Sequence, residues 1–339
     1  MNILLIQLKR IGDLVLTTPA IAALRKKFPD ATLSLVVSPA TEGLLPAIPG
    51  IDKVFVLRGQ ADDALDWIGL VCRRFDYCLD FTRNDRSSFL TLLSKAKKRI
   101  TSDHQNLRTK LRARSYNEFV EAPVRLLHTI DYHLALLEPL GIRGPSRAIH
   151  LDLPEDAINR TEKLLQTSGA GDDFLVLHPG SARSEKFWEP ERWASVINHA
   201  LNGCQLKCIL TGGRSVAEKA QITTIKSLAH PGVIDLSGTT DLLTLAGIVR
   251  RARLLVTVDS APMHFAAAWE IPQVVLFGPT NPFHWHPRSG SALVLQGQSS
   301  GPATEFHPRQ PPTPMNQIST QAVIDAMESL LSAPAAPAL

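Results

Sequence analysis

The sequence lacks any long apolar run, since no segment approaches the ~18–20 apolar residues that a membrane-spanning helix requires. The apolar run near the start, Ile3 to Ile6, is soon followed by Lys9, Arg10 and Asp13, which is typical of a first β-strand rather than of a signal peptide. Cysteine is scarce, and the four cysteines include no CxxC pair of the kind that binds metals. We therefore expect a cytoplasmic protein whose thiols are reduced and structural.

Several familiar binding motifs are also absent. No GxGxxG follows an opening strand, which argues against a nicotinamide-dependent oxidoreductase, and no GxxxxGK(S/T) phosphate loop is present. No convincing DxD motif accompanies the loops described below, so we expect no metal and no cofactor. Aromatic residues do not interleave the basic ones, so we expect no nucleic-acid partner.

Positive charge is concentrated in one segment, although the net charge is only +4. Between residues 95 and 114, Asp103 opposes a set of basic residues: Lys95, Lys97, Lys98, Arg99, Arg108, Lys110, Arg112 and Arg114. Such a cluster is either a solvated face or a binding surface for an anionic partner, namely a phosphorylated acceptor or an anionic membrane surface. Under the second interpretation the acceptor-binding residues are Lys95, Lys97, Lys98, Arg108, Lys110 and Arg112.

Short β-branched and leucine-rich runs alternate with helical apolar spacing along most of the chain. This alternation predicts two Rossmann-like α/β domains with parallel, doubly wound sheets and a ligand cleft between them. The predicted strands are 2–8, 32–37, 53–57, 76–81, 99–101, 174–178, 206–211, 233–236, 253–258 and 273–277. The predicted helices lie near 14–27, 62–73 and 84–94 and begin near Pro190, Ser215, Asp241 and Pro262.

Glycine, proline and acidic residues collect between residues 142 and 172, which predicts the join between the domains. We place the N-terminal domain at 1–160 and the C-terminal domain at 161–315. Apolar residues at helical spacing predict a last helix at 316–332, which we expect to pack back on the N-terminal domain. The Ala/Pro-rich tail, 333–339, is predicted to be disordered.

The first candidate loop, residues 9–13, directly follows the first strand. Gly12 permits a tight turn, and Asp13 lies where the next helix begins. Asp13 is either an N-cap that satisfies backbone amides or a carboxylate at the mouth of the cleft that acts as a general base.

The second loop, residues 178–188, follows the first strand of the second half. It offers Gly180 for a turn, the Ser181 hydroxyl, and two cations, Arg183 and Lys186. Small residues and cations at the carboxyl end of a strand suit a diphosphate, although ordinary surface charge is the alternative.

The third loop, residues 211–214, is followed one helical turn later by Glu218. This carboxylate could accept hydrogen bonds from ribose hydroxyls, or it could be a solvated helix residue. The turn that contains Thr239 is similar in character.

The fourth loop, Asp259 to His264, follows a predicted strand and opens a helix whose N-terminal amides could hold a phosphate. Asp259 and Ser260 could instead cap that helix, and His264 could be a histidine packed in the core. Gly278, after the next strand, would close the same side of the cleft.

Three segments, IGDLVLTTPAI, HPGSARSEKFWEPERW and DSAPMHFAAA followed by VVLFGPTNP, together resemble the heptosyltransferase family of bacterial lipopolysaccharide synthesis, glycosyltransferase family nine. The resemblance covers about residues 1–285. It implies a glycosyltransferase B-type fold, with the acceptor on the N-terminal domain and the donor nucleotide on the C-terminal one. It also implies an inverting, metal-independent transfer, usually from ADP-heptose, onto a lipopolysaccharide core glycolipid at the inner face of the cytoplasmic membrane.

The same resemblance implies roles for individual residues. Asp13 matches the family's catalytic aspartate and Lys186 its diphosphate lysine, while Ala261 stands where the family commonly has glycine. Other donor positions fall on Ser181, Glu218, Asp259 and His264. A nucleotide-sugar epimerase of similar fold, or a transferase for another nucleotide sugar, is the alternative.

Overall fold

The computed structural model describes residues 1–58, 69–102, 110–298 and 301–332, without the side chains of residues 110 and 111. The chain forms two compact units, Met1–Asp152 and Leu153–Leu339. The boundary comes earlier than the predicted 160/161, because helix Glu155–Thr167 packs in the second unit. In that unit Thr161 packs closely against Gly247, where an added Cβ would lie 2.3 Å from the Thr161 Oγ1.

The first unit is a six-stranded parallel sheet with the order β3-β2-β1-β4-β5-β6. Its strands are β1 (Asn2–Gln7), β2 (Thr32–Val37), β3 (Lys53–Val56), β4 (Tyr77–Asp80), β5 (Lys98–Ser102) and β6 (Glu118–Val120). Its helices are α1 (Ile11–Val15), α2 (Thr18–Lys27), α3 (Asp85–Leu93), α4 (Lys110–Ala113) and α5 (Thr129–Ala135), with 3₁₀ turns at Pro39–Ala47, Val124–Leu126 and Glu138–Leu140.

The second unit repeats this plan with the strand order β12-β11-β10-β7-β8-β9, again all parallel. Its strands are β7 (Phe174–His178), β8 (Lys207–Leu210), β9 (Ile234–Asp235), β10 (Leu254–Val258), β11 (Gln273–Phe277) and β12 (Ala292–Gln296). Its helices are α6 (Glu155–Thr167), α7 (Pro190–Asn202), α8 (Val216–Leu228), α9 (Leu242–Arg251), α10 (Ala261–Ala268) and α11 (Thr320–Ser332), with 3₁₀ turns at Ser184–Lys186, Pro282–His284 and Met315–Gln317.

Local chemistry explains where several helices begin. The side chains of Asn84, Ser215 and Asp241 accept hydrogen bonds from first-turn amides of α3, α8 and α9. Pro190 is the first residue of α7, a position where its missing N–H costs nothing. The strands β7, β10 and β11 are buried along their whole length, as expected for apolar runs covered by helices on both faces.

The predicted fold class, two parallel α/β sheets, is confirmed. Strands 32–37, 174–178 and 273–277 have the predicted bounds, and the other predicted strands differ by one residue at one or both ends. The edge strands β6 and β12 were not predicted. The predicted helix 14–27 is divided into α1 and α2, with Pro19, which has no N–H to donate, in the first turn of α2.

The last helix differs from the prediction in its packing. The buried face of α11, formed by Ala322, Val323, Ala326 and Met327, belongs to the core of the second unit together with residues of α7, β10 and β11. The prediction that this helix packs back on the N-terminal domain is therefore wrong, because its apolar face is already covered by its own unit.

Some predictions fall outside the described residues: most of the helix at 62–73, Arg108, the side chain of Lys110, and the tail 333–339. Within the described ranges, no helix is both long and apolar enough to cross a bilayer.

Candidate functional site

The second unit brings two candidate loops to one edge of its sheet. β7 and β10 pair in parallel with His178 opposite Thr257, so residues 178–188 and 259–264 leave the sheet side by side. The strand order changes direction here, because β8 lies on one side of β7 and β10 on the other. Ligands of doubly wound sheets bind at such a switch point, beyond the carboxyl ends of the strands.

Lys186 and Asp259 form a buried ion pair that joins these two loops. The Lys186 Nζ lies 2.5 Å from the Asp259 Oδ2 and also donates to the Asp259 carbonyl oxygen at 3.1 Å. Each residue is only 7% exposed, and charged side chains are almost never buried so deeply unless they are paired. The pair fixes an ammonium group at the carboxyl edge of the sheet.

His264 lies on α10 and is 4% exposed. Burial lowers its pKa to about 4, while the Asp259 charge raises this pKa and the Lys186 charge lowers it further. The imidazole is therefore neutral at neutral pH. Its Nδ1 is buried and makes no hydrogen bond to any described residue, which leaves one ring nitrogen for a ligand or water.

The N-terminus of α10 has no side-chain cap. Ser260 holds the N-cap position, but its hydroxyl donates to the Val258 carbonyl oxygen at 3.2 Å instead of accepting from the helix. Ala261 is the first helical residue, and Pro262 at the second position has no N–H. The positive end of the helix dipole is thus not offset by its own cap, which suits an anion.

Glu218 is buried beneath two glycines. Its Oε1 accepts from the Gly213 amide at 3.1 Å and its Oε2 from the Ser215 hydroxyl at 2.8 Å, and the residue is 8% exposed. A Cβ at Gly180 or at Gly213 would lie 2.4 Å from this carboxylate. The alternative that Glu218 is a solvated helix residue is therefore wrong.

Gly180→Ala is expected to push the Glu218 carboxylate out of this position. The displaced side chain would lose hydrogen bonds, at a cost of about 1–3 kcal/mol in the free energy of unfolding. Thermal unfolding measures this loss. Gly290→Ala is the matched control, because a Cβ at Gly290 meets nothing within 4 Å. Equal unfolding temperatures for the two variants would contradict the placement of Glu218.

The remaining residues of the second loop contact one another. The Ser181 hydroxyl accepts from the Arg183 amide at 3.3 Å. The Arg183 guanidinium pairs with Glu185, with 2.6 Å between Nε and Oε1, on the exposed side of the loop. The positive charge of Arg183 is therefore paired with the Glu185 carboxylate.

Thr239 and Gly278 have local structural partners. The Thr239 hydroxyl donates to the Leu236 carbonyl oxygen at 2.8 Å in the turn after β9. At Gly278 a Cβ would lie 2.4 Å from the Met315 Sδ, so packing there requires glycine.

Sequence reasoning missed His178 as a side chain of this edge. Its Nδ1 lies 2.9 Å from the Thr211 Oγ1, and a Cβ at Gly180 would lie 3.4 Å from its Nε2. Burial lowers the pKa of His178 to about 4. The sequence signal for this residue was a histidine at the end of an otherwise apolar strand.

In the first unit, Asp13 lies in the first turn of α1, whose N-cap is Arg10. The capping interpretation of Asp13 is therefore wrong, although an acid in the first turn still interacts favourably with the helix dipole. Its side chain is 15% exposed, and its Oδ1 lies 3.9 Å from the Lys9 Nζ. Gly12 is the second residue of the same helix.

A buried polar network fixes the backbone behind Asp13. The Thr17 hydroxyl donates to the Asp13 carbonyl oxygen at 2.8 Å, and the Gln7 amide donates to the Thr17 oxygen at 3.0 Å. The His133 Nδ1 lies 3.1 Å from the Leu16 carbonyl oxygen, and burial, reinforced by the Lys9 charge, lowers the pKa of His133 to about 3. Sequence reasoning missed this network, whose signal was Gln7 at the end of an apolar strand.

The basic segment is less positive than its sequence suggests. Three of its cations pair with acids of the first unit: Lys97 with Asp76 at 2.8 Å, Lys98 with Glu118 at 3.5 Å and Arg112 with Asp85 at 3.2 Å. Lys95 is exposed.

Residues 68–313 match the family model described as glycosyltransferase family 9 (heptosyltransferase). A lipopolysaccharide heptosyltransferase 3 from Escherichia coli is 26% identical over 291 residues, which cover 83% of this chain and 85% of that protein.

Solved structures share the fold. A glycosyl transferase family 9 protein from Veillonella parvula DSM 2008 superimposes with a TM-score of 0.80 at 24% identity, covering 97% of both chains. An E. coli heptosyltransferase with ADP-2-deoxy-2-fluoro heptose gives a TM-score of 0.74 at 19% identity, covering 97% of this chain and 99% of that one.

Proposed function

Because the chain belongs to glycosyltransferase family 9, the heptosyltransferase family, we propose that it transfers heptose from ADP-heptose to a lipopolysaccharide core glycolipid. The observation that carries the donor half of this proposal is the buried Lys186–Asp259 pair beside the uncapped start of α10. A fixed ammonium and a helix N-terminus both stabilise the charge of a diphosphate.

The second unit is the proposed donor site. Lys186 and the first turn of α10, which begins at Ala261, contact the diphosphate, with Ser181 and His264 as further hydrogen-bonding groups. Glu218, whose carboxylate is held at the same edge of the sheet, accepts from the ribose hydroxyls. The E. coli relative with an ADP-sugar analogue supports adenine as the base.

The remaining donor candidates have weaker support. Arg183 can reach a diphosphate only by leaving Glu185. Thr239 and Ser260 already donate their hydroxyl protons to backbone carbonyl oxygens, so they can only accept from the donor.

The proposed reaction is a single in-line displacement with inversion at the anomeric carbon. The acceptor hydroxyl oxygen attacks that carbon as the bond to the diphosphate oxygen breaks, and Asp13 takes the hydroxyl proton. The electron pair of the broken bond remains on the diphosphate, where Lys186 and the α10 dipole stabilise it. One such preorganised group contributes about 2.7–4 kcal/mol, so several together supply what a divalent ion supplies in other transferases.

A nucleotide panel tests the donor site. The unfolding temperature of the purified chain should rise more with ADP than with UDP, GDP or CDP, because the proposed donor carries adenine. A ligand present at 100 times its Kd stabilises the folded chain by about 2.7 kcal/mol. The shift should persist in EDTA, since the proposed diphosphate contacts involve no metal. A shift that requires magnesium or manganese would contradict this mechanism.

We also propose that the enzyme works in the cytoplasm, peripherally on the inner face of the membrane, through the basic segment around Lys95, Lys97, Lys98, Arg108, Lys110 and Arg112. Reversing Lys95 and Lys97 to Glu should weaken binding to phosphatidylglycerol-containing vesicles at least ~10-fold at low salt, since each cation near an anionic surface contributes about 1 kcal/mol. Sedimentation with these vesicles and with pure phosphatidylcholine vesicles measures the effect. Unchanged binding at low salt would identify the segment as a solvated face.

A further inference from the structure

The turn between β4 and α3 holds an arginine in an unusual backbone conformation. Arg83 has φ of 59°, in the left-handed region that L-residues other than Asn and Asp rarely adopt. Its amide and the Thr82 amide both donate to Asp80 Oδ1, at 3.0 and 2.9 Å. The Arg112 guanidinium donates to the Arg83 carbonyl oxygen. Charged groups therefore fix both sides of the strained residue.

Asp80, the residue that fixes the Arg83 amide, is itself fully buried and held by hydrogen bonds. Its Oδ2 accepts from the Ser87 hydroxyl at 2.7 Å and from the Tyr116 hydroxyl at 2.6 Å. Burial and the Asp80 charge raise the pKa of Tyr116 above its ordinary value, so the phenol stays a donor. Ser87 also closes a capping box with Asn84, the residue after Arg83. The turn is rigid because each member of this network has a partner.

The Arg83 side chain is the exception within this network. Its Nε is buried and makes no hydrogen bond to the part of the chain that the structure describes. No acid within the described ranges forms an ion pair with its guanidinium, whereas neighbouring Arg112 pairs with Asp85. Arg83 as a whole is only half-buried, so its guanidinium does not carry the cost of a fully buried charge. Backbone strain at a non-glycine residue is often retained where it serves a site. The guanidinium therefore has charge that no described acid neutralises and that an anionic ligand could pair with.

This turn lies beside the segment that leads to Asp13. β4 pairs in parallel with β1, and the Thr82 hydroxyl accepts from the Leu8 amide at 2.7 Å and donates to the Ile6 carbonyl oxygen at 3.3 Å. Arg83 is thus on the same carboxyl edge of the first sheet as the proposed base, in the unit that does not carry the donor groups.

We propose that Arg83 binds an oxyanion of the acceptor, a phosphate or a carboxylate, and that Asp80 and Arg112 are positioning residues for it. A guanidinium presents paired donors that match either group. The proposal rests on the transferase function above and names the residue of this chain that would hold an anionic group of the acceptor.

Arg83→Gly separates this role from a structural one. Glycine adopts positive φ freely, so the variant removes the guanidinium and relieves the backbone strain together. We expect its unfolding temperature to equal or exceed that of the wild type. The acceptor KM should rise about 10- to 100-fold, the range for a lost hydrogen bond to a charged group, while ADP affinity stays within twofold. Arg74 is an exposed cation just before the amino end of β4, so Arg74→Gln is the matched control.

A second readout needs no sugar. With ADP saturating the donor site, inorganic phosphate and acetate should each raise the unfolding temperature of wild type and of Arg74→Gln, but not of Arg83→Gly. If the wild type transfers no sugar, the proposed function fails, yet this titration still tests the anion site. An acceptor KM and anion response of Arg83→Gly equal to those of Arg74→Gln would overturn the proposal, as would a large loss of stability.

The source of the anion is distinguished by treating the acceptor with phosphatase. If the ligand is a phosphate, treatment removes the difference in acceptor KM between wild type and Arg83→Gly. If the difference persists, the ligand is a carboxylate of the acceptor.

Discussion

Replacing Asp13 with asparagine is expected to lower kcat by about 10²–10⁴-fold, the contribution of a positioned general base. Asparagine has nearly the same shape but cannot take the proton from the acceptor hydroxyl. The backbone should stay in place, because the buried Thr17 hydroxyl donates to the Asp13 carbonyl oxygen and this contact does not involve the Asp13 side chain. Affinity for ADP should change less than twofold, since every proposed donor contact lies in the second unit.

Steady-state kinetics and ADP titration of the variant check both halves of this prediction. Asp30→Asn is the control, because it removes the charge of an exposed acid of the same unit. An Asp13→Asn enzyme that keeps more than a tenth of its kcat would show that another group takes the proton. A large loss of ADP affinity would contradict the division of roles between the two units.

Lys186→Met should lower both donor affinity and turnover, because the same ammonium contacts the diphosphate before and during bond cleavage. A decrease of about 10²–10³-fold in kcat is expected from the loss of one preorganised group. The variant also leaves the Asp259 carboxylate buried without its partner, which should cost about 3–5 kcal/mol in the free energy of unfolding.

The double variant Lys186→Met, Asp259→Asn separates these two effects. Removing the stranded charge should recover much of the lost stability without recovering transfer, whereas Lys219→Met, on the exposed face of α8, should change neither. Chemical denaturation and kinetics together give the result. If the double variant transfers sugar at the wild-type rate, Lys186 serves only to neutralise Asp259.

The sequence was sufficient to predict most of the fold for a physical reason. Strands buried on both faces read as continuous apolar runs, so β2, β7 and β11 were recognisable from composition alone. β6 has three residues and β12 lies at a sheet edge, and such strands carry a weak periodic signal. The packing of α11 was not predictable, because an apolar helix face does not specify the surface that covers it.

The sequence predicted many residues of the site but not the contacts between them. Lys186 and Asp259 were both chosen from their loops, yet they are 73 residues apart and only the pairing of β7 with β10 brings them together. Arg83 could not be predicted at all, since left-handed backbone at a non-glycine residue depends on Asp80 and Arg112 rather than on the residue type. The charge of the basic segment was overestimated because its acidic partners come from elsewhere in the chain.

The most direct test of the central claim is a transfer assay with the purified chain, ADP-heptose and a heptose-deficient lipopolysaccharide core in EDTA. Mass spectrometry of the glycolipid and NMR of the new linkage are the readouts. The proposed function predicts that the core gains one heptose residue, with the anomeric configuration inverted relative to the donor and one ADP released per transfer. A donor that is consumed without any change in the core glycolipid, or a retained configuration, would contradict it.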